Sequence, residues 1–368
     1  MLSCTPSTST WIRAERRRCG STRCGPEVWY VPTMSSNVAV LGAGSWGTAL
    51  AKSISDQGHR VRLWARRREL VDVIARDREN AAYLPGAVLA PTLTPTSELA
   101  HALEGADVVL SVIPTHGLRE ALDQAAAFFP ADAPILSATK GIENGTLELV
   151  SGIFEDHFPA ERHHLLCYLG GPSFAKEVAQ GMPTAVVVAA KDARSAARVQ
   201  QVLGTDRLRV YTTDDVVGIE LGGALKNVMA IAAGVGDGLG FGHNTRAAII
   251  TRGLAEMSRL AIKLGANPLT LSGLGGMGDL VLTCTGDLSR NRKVGLELGK
   301  GKKIAEILAG MSQVAEGVRT TRSAYELSRR EGVEMPIVEA MYRVLYEDLP
   351  PLEAVVALMT RRLRAERD

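Results

Sequence analysis

Three groups of residues in the 368-residue chain have the types and spacing that chemistry needs. The first is the run Gly42-Ala43-Gly44-Ser45-Trp46-Gly47, which follows a short apolar stretch and opens a helical pattern. Each glycine has its own task. Gly42 permits a tight turn, Gly44 lets backbone approach a pyrophosphate, and Gly47 lets helix and strand pack closely. The N–H groups at the helix start favour an anion. Alone the spacing is weak; between one strand and the helix that leads to the next it is strong. The second group is Arg66-Arg67-Arg68, about 20 residues beyond the last glycine. An acid here would select an unphosphorylated ribose, whereas guanidinium pairs with a 2′-phosphate. A solvated basic face is the alternative. The third is Lys226, the only cation in the apolar stretch 216–235. A buried unpaired ammonium is costly, so it needs a partner or a cleft. Desolvation and a neighbouring cation would lower its pKa and fit it for proton transfer. On composition alone, a lysine snorkelling at the helix edge is the commoner outcome.

The elements that must hold these groups follow from periodicity. A buried strand is expected over 37–41, a helix over 45–57 ended by Gly58, and a strand over 60–65, which together make a right-handed crossover unit. Further strands are expected over 107–113, 133–138, 164–169, 184–189 and 207–212, with helices over 117–128 and 193–203 among them. This alternation predicts an α/β fold, a Rossmann-type doubly wound parallel sheet. After Thr213 the pattern becomes helical over 216–235, 245–264, 290–298, 303–309, 318–331, 336–346 and 352–363. The expected division is a tail over 1–33, a dinucleotide-binding domain over 34–213 and an all-helical C-terminal substrate domain over 214–368.

Composition narrows the function. Hydrophobic residues make up 46% of the chain, enough for a sizeable core, and the net charge is +2 with no basic stripe beyond the first thirty residues. Nucleic acid is therefore not an expected partner. No apolar run approaches the roughly 18 residues of a membrane span, so no integral membrane segment is expected. Three of five cysteines (Cys4, Cys19, Cys24) lie near the start, leaving Cys167 and Cys284, which fits a reducing cytoplasm. No His/Cys spacing suggests a metal. The first 33 residues are rich in Ser, Thr and Arg; they read as an extended or misassigned start with a disordered tail rather than a transit peptide.

The segments GAGSWGTALA (42–51), ATKGIE (138–143), GGPSFAKE (170–177), GIELGGALKNVMAIAAG (218–234), NTRAAIITRGLAEMSRL (244–260), GMGDLVLTCT (276–285), SRNR (289–292) and VAEG (314–317) together resemble the bacterial-type NAD(P)-dependent glycerol-3-phosphate dehydrogenase family. The resemblance runs from about residue 37 to 360. It implies reduction of dihydroxyacetone phosphate to sn-glycerol 3-phosphate, a phospholipid precursor. From Arg66-Arg67-Arg68, NADPH/NADP is expected as the preferred cofactor and NADH/NAD as the lesser one.

By the same resemblance Lys226 is the proton donor and acceptor, and Lys140 reaches both cofactor and substrate. Gly171 and Ser173 match substrate positions, Asp279 the carboxylate that orients the reacting lysine or a substrate hydroxyl, and Ser289, Arg290 and Asn291 the phosphate clamp. Gly42, Gly44, Ser45, Trp46, Gly47, Arg66, Arg67, Ala175, Val314 and Glu316 match cofactor contacts, with Lys140 and Arg290 shared. Read without the resemblance, Asp279 could brace a glycine-rich turn, Arg290 sit in a surface ion pair, and Glu316 be a first-turn acid. Other two-domain reductases share the first motif but not the ordered later set. A non-catalytic NADP sensor would need no proton donor. A homodimer is expected from the long helical region.

Overall fold

The computed structural model describes residues 35–311, 315–362 and 365. The expectations for 1–33, and Val314, lie outside the described residues. Eight strands form one sheet in the order β3-β2-β1-β4-β5-β6-β7-β8. They are β1 (Asn37–Leu41), β2 (Arg60–Trp64), β3 (Leu93–Thr96), β4 (Val108–Ser111), β5 (Ile135–Ser137), β6 (Leu166–Gly170), β7 (Thr184–Ala190) and β8 (Leu208–Thr213). Helices α1 (Ser45–Ser55), α2 (Arg68–Asp77), α3 (Leu99–Leu103), α4 (Leu118–Ala125), α5 (Val150–His157), α6 (Ala175–Ala179) and α7 (Ala193–Leu203) lie between them. The sheet is apolar on both faces. Val38, Val40, Leu63 and Leu110 pack on one side, and Ala39, Leu41, Val109 and Ile135 on the other. Near-continuous apolar strands are what a sheet covered on both sides requires.

Two features depart from the sequence reading. Strand β7 runs antiparallel to β6, while every other pair is parallel. The chain leaves β6 at its carboxyl end and helix α6 packs on α1, so β7 re-enters the sheet from that same end. The sheet is thus mostly rather than wholly parallel. Strand β3 was not expected because Pro95 interrupts it. A proline lacks the ladder N–H, and β3 lies at the sheet edge, where that loss is tolerated.

Beyond β8 the described residues are helical: α8 (Val216–Gly238), α9 (His243–Lys263), α10 (Pro268–Ser272), α11 (Asp279–Thr285), α12 (Arg290–Gly299), α13 (Ile304–Ala309), α14 (Glu316–Glu331), α15 (Pro336–Tyr346) and α16 (Pro351–Met359). Helix α8 is the axis of this region. It starts at Asp215, whose carboxylate accepts from Gly218 N at 2.9 Å, a side-chain cap. It is buried all round, with Leu221, Leu225, Val228, Met229 and Ile231 fully enclosed. Each such side chain contributes roughly 1.5–3 kcal/mol of burial. Helix α8 is also long and apolar enough to cross a membrane, with 94% of the tested stretch buried inside the protein. This corrects the expectation that no stretch passes that test. Gly222, Gly223 and Gly234 dilute the apolar count, while the residues between them keep the helix hydrophobic.

Four glycines set the distance between α8 and α12. A Cβ on Gly234 would stand 2.8 Å from Leu296 N, and one on Gly295 would stand 2.8 Å from Val235 N. Gly238 and Gly299 face one another in the same way, each 2.8 Å from the other's Cα. The two helices therefore meet backbone to backbone, which only residues without side chains allow. This contact carries the first turn of α12 toward the middle of α8.

Candidate active site

The glycine turn between β1 and α1 is built as its sequence requires. Gly42 has φ +116°, a left-handed conformation, and a Cβ there would press to 2.6 Å from the Val112 carbonyl oxygen. A Cβ on Gly47 would collide with the Gly42 carbonyl. Gly44 differs: a Cβ would meet nothing within 4 Å, so its open side faces the cleft. A pyrophosphate fits that space, beside the N-terminal N–H groups of α1. Ser45 Oγ donates to the Tyr83 carbonyl at 2.7 Å, which fixes the first turn, and Trp46 lies half-buried at the rim.

Arg66 and Arg67 follow β2 and line the cleft, both exposed. Arg67 lies 5.9 Å over the Tyr83 ring and donates to its hydroxyl at 3.1 Å. Both arginines line the same cleft as the glycine turn. Arg68 instead opens α2.

Across the same cleft of about 840 Å³ stand Lys140, Ser173, Ala175, Lys226, Ser289, Arg290, Asn291 and Glu316. Lys140 follows β5; Lys226 projects from the middle of α8. Lys140 crosses α8 at Gly223, where a Cβ would rest in ordinary contact, 3.5 Å from the Lys140 stem. Gly222 faces the backbone of Gly275 and Gly276, in the turn that leads to Asp279. Asp279, 1% exposed at the start of α11, bridges the two amines. Its Oδ2 accepts from Lys140 Nζ at 2.8 Å and its Oδ1 from Lys226 Nζ.

Charge explains what this cluster can do. Burial lowers the Lys226 pKa, Asp279 raises it in part and the nearby Lys140 charge lowers it again, and the balance lies at about 8. Burial alone would raise Asp279, yet Lys140 and Lys226 hold it below the usual range. Two ammonium groups against one carboxylate leave an excess positive charge at the cleft floor. Burial raises the Glu316 carboxyl, against the pull of Arg290, Lys140 and Lys226. An amine poised near neutrality beside a cationic pocket is a proton donor for an anionic oxygen.

The remaining expected residues divide by what they touch. Ser289 caps α12, its Oγ accepting from Arg292 N at 3.2 Å. Asn291 spans two elements: its Nδ2 donates to Asn227 Oδ1 at 2.9 Å and its Oδ1 accepts from Gly317 N at 3.0 Å. Its amide thus ties α12 to α8 and α14. Gly171 does not line the cleft. Its φ of +105° turns the chain after β6, and its carbonyl accepts from Ser173 Oγ at 3.1 Å, so it shapes the loop that presents Ser173. Asp279 also lies behind the cleft wall and works through the lysines. Among the described residues no His/Cys/Asp/Glu group could hold a metal ion.

The cleft also contains residues that the sequence reading did not single out: Tyr83, His116, Phe174, Asn227 and Thr283. Adjacency to Lys226 was an available signal for Asn227. Thr283 stands one turn beyond Asp279, donating its hydroxyl to the Asp279 carbonyl at 2.6 Å. No sequence signal marks His116 or Tyr83, which reach the cleft only through the fold.

Comparison with known proteins agrees with this geometry. Residues 37–196 match the family described as NAD-dependent glycerol-3-phosphate dehydrogenase N-terminus, and residues 215–356 match the corresponding C-terminus. Over 333 residues the chain is 55% identical to glycerol-3-phosphate dehydrogenase [NAD(P)+] of Citrifermentans bemidjiense, covering 90% of this chain and 99% of that one. It is 53% identical over 328 residues to the enzyme of the same name from Myxococcus xanthus, covering 89% and 98%. The crystal structure of glycerol-3-phosphate dehydrogenase from Coxiella burnetii superposes with a TM-score of 0.84 at 39% identity, over 89% of this chain and 99% of that chain. With both halves matched in order along one continuous cleft, the chain belongs to the NAD-dependent glycerol-3-phosphate dehydrogenase family.

Proposed function

We propose that the protein interconverts dihydroxyacetone phosphate and sn-glycerol 3-phosphate using NAD(P)H, with Lys226 as the acid–base group. The observation that carries this reading is the Lys140–Asp279–Lys226 cluster, which faces the same cleft as the glycine turn and Arg290. Gly42, Gly44, Ser45, Trp46, Gly47, Ala175, Val314 and Glu316 hold the dinucleotide, with Arg66 and Arg67 on the 2′-phosphate side. The nicotinamide, when bound, supplies the hydride for C2 of the triose. Lys226 gives its proton to the C2 oxygen as negative charge grows there. Asp279 keeps the amine in place, and the Lys140 charge keeps its pKa low enough for transfer. Arg290 offers a planar fork to the phosphate, and Ser289 and Asn291 flank it with neutral donors. Binding the remote phosphate aligns the carbonyl with the amine. Ser173 lines the wall against the triose, presented by the turn at Gly171.

The finer readings belong here also. The sheet region to about residue 213 holds the dinucleotide and the helical region holds the triose. The protein acts in the cytoplasm as a homodimer on small molecules alone, supplying a phospholipid precursor, and it prefers NADPH to NADH. The deciding assay follows nicotinamide absorbance with NADPH and either dihydroxyacetone phosphate or dihydroxyacetone. Oxidation with the phosphate ester and little with the free triose is the expected result; equal rates would remove the phosphate clamp from the account. In Arg66→Asp the NADPH preference should reverse or vanish, and an unchanged preference would clear Arg66 of that role.

A further inference from the structure

The segment that carries Lys140 into the cleft is gathered by one guanidinium. Arg119, in the first turn of α4, donates from Nε to Glu143 at 2.8 Å, from Nη1 to Asp156 at 2.8 Å, and from Nη2 to Glu148. All three carboxylates lie on the stretch that runs from Lys140 into α5. Thr146 Oγ1 adds a hydrogen bond to Glu143 at 2.6 Å.

The same two stretches are joined nearer the cleft. Thr139 Oγ1 donates to the Ile113 carbonyl at 2.7 Å and Thr115 Oγ1 to the Lys140 carbonyl at 3.4 Å. A Cβ on Gly141 would stand 2.5 Å from Thr115 Oγ1. A bridge between Ile142 and Leu149 closes the loop on itself. Its far end is tied to the catalytic helix: Glu220 of α8 accepts from Ser151 N at 2.7 Å and from Ser151 Oγ at 2.6 Å. Lys140 therefore stands just before the closed loop 142–149, which together with α5 carries the three acids that meet at Arg119.

We propose that Arg119 is a positioning residue for the reaction, gathering Glu143, Glu148 and Asp156 so that the loop holds Lys140 against Asp279. The inference rests on the reading of Lys140 and Lys226 as site residues. Three carboxylates on one short stretch repel one another unless a cation sits among them. A guanidinium presents donors in several directions of one plane, whereas an ammonium is a single point. Without Arg119 the loop opens, Lys140 withdraws, and Asp279 is left to Lys226 alone. Loss of the Lys140 charge and a stronger share of Asp279 both favour the protonated form of Lys226. The proton-transfer group then titrates at higher pH, although Arg119 touches neither lysine.

The experiment compares wild type, Arg119→Met and Arg119→Lys in the full chain, reading kcat for triose phosphate reduction against pH, KM, and thermal unfolding. Arg119→Met is expected to move the alkaline limb of kcat upward by about half a unit or more. Its kcat/KM should fall roughly tenfold through misalignment, and Arg119→Lys should recover part of both. A lower melting temperature with an unmoved limb would reduce Arg119 to a brace and overturn the proposal. If Arg119→Met does not fold, Glu148→Gln removes one acid from the cluster. It should shift the limb the same way by less, and no shift overturns the proposal equally. Lys226→Ala separates the two layers: retained turnover there defeats the site reading, whereas lost turnover with an unmoved Arg119→Met limb defeats only this inference.

Discussion

Helix α8 carries two acid–base triads on one face, about three turns apart, and they are built alike but from different cations. At the cleft, Asp279 sits between Lys140 and Lys226. In the last turn of the helix, Asp237 sits between Arg246, at 2.5 Å, and Arg292, at 2.8 Å. Arg292 extends the second group to Asp287 at 2.9 Å, which brings its charge to balance. The first keeps an excess positive charge. Burial brings Lys226 to about pH 8, while Asp237 and Asp287 raise the Arg292 guanidinium against the effect of burial. Both triads hold helices together, but only a lysine can release its proton within the working range of a protein. The residue type, not the ion-pair geometry, separates chemistry from bracing. The charge imbalance sets the first triad apart from the second and accords with the anionic substrate proposed for it.

Exchanging the cations tests this most severely. Lys226→Arg keeps the charge and the salt bridge but removes the proton donor, so turnover should fall by roughly 10²–10⁴. Steady-state rates near those of wild type would mean that charge alone suffices. Next in size is Asp237→Asn, which leaves two guanidiniums facing each other. It should cost about 3 kcal/mol of stability in urea unfolding, the lower end for a broken buried pair because both arginines retain some water contact. The pH profile of the surviving enzyme should be unchanged. A shifted profile would show that the two triads are coupled through α8.

The third test is pH. Reduction needs protonated Lys226, so kcat should decline as pH rises through about 8. The same shift has a stability consequence. The folded pKa lies below the unfolded value, so the unfolded chain holds more protons between about pH 8 and 10.5 and stability rises with pH there. Lys226→Met should lack that rise, and matching denaturation curves for the two proteins across this window would refute the depressed amine. The smallest effect belongs to Arg246→Lys, expected within about 1 kcal/mol and with nearly normal turnover. A large loss of activity would show that the Asp237 triad does more than brace.

The outline of this arrangement was legible in the sequence wherever one physical rule acted alone. Strand β1, the glycine turn and helix α15 sit where periodicity and proline placed them, because buried apolar runs and a first-turn proline leave few choices. Lys226 stood out because a lone cation in an apolar helix must be accounted for. What escaped depends on contacts distant in the chain. Strand β3 contains a proline that only an edge position excuses, and the turn 274–278 with α11 hides in glycines whose burial against α8 is set by tertiary packing. The sequence could not pair Asp279 with both lysines, nor show that Ser289 and Asn291 also spend their side chains on a helix cap and an inter-helix bridge. Arg119 carries no mark in the sequence, because the three acids it holds meet it only in the fold.

The bare meeting of α8 and α12 limits how this protein can change. The span from amine to guanidinium is fixed by an absence of side chains, so there is no residue to trim that would draw the two closer. Any enlargement at Gly234, Gly238, Gly295 or Gly299 wedges the helices apart. If Arg290 holds the phosphate as proposed, acceptance of longer or shorter phosphate esters would have to be won on the loop side of the cleft. Efforts to redirect specificity would do better to vary that wall than the helical spine opposite it.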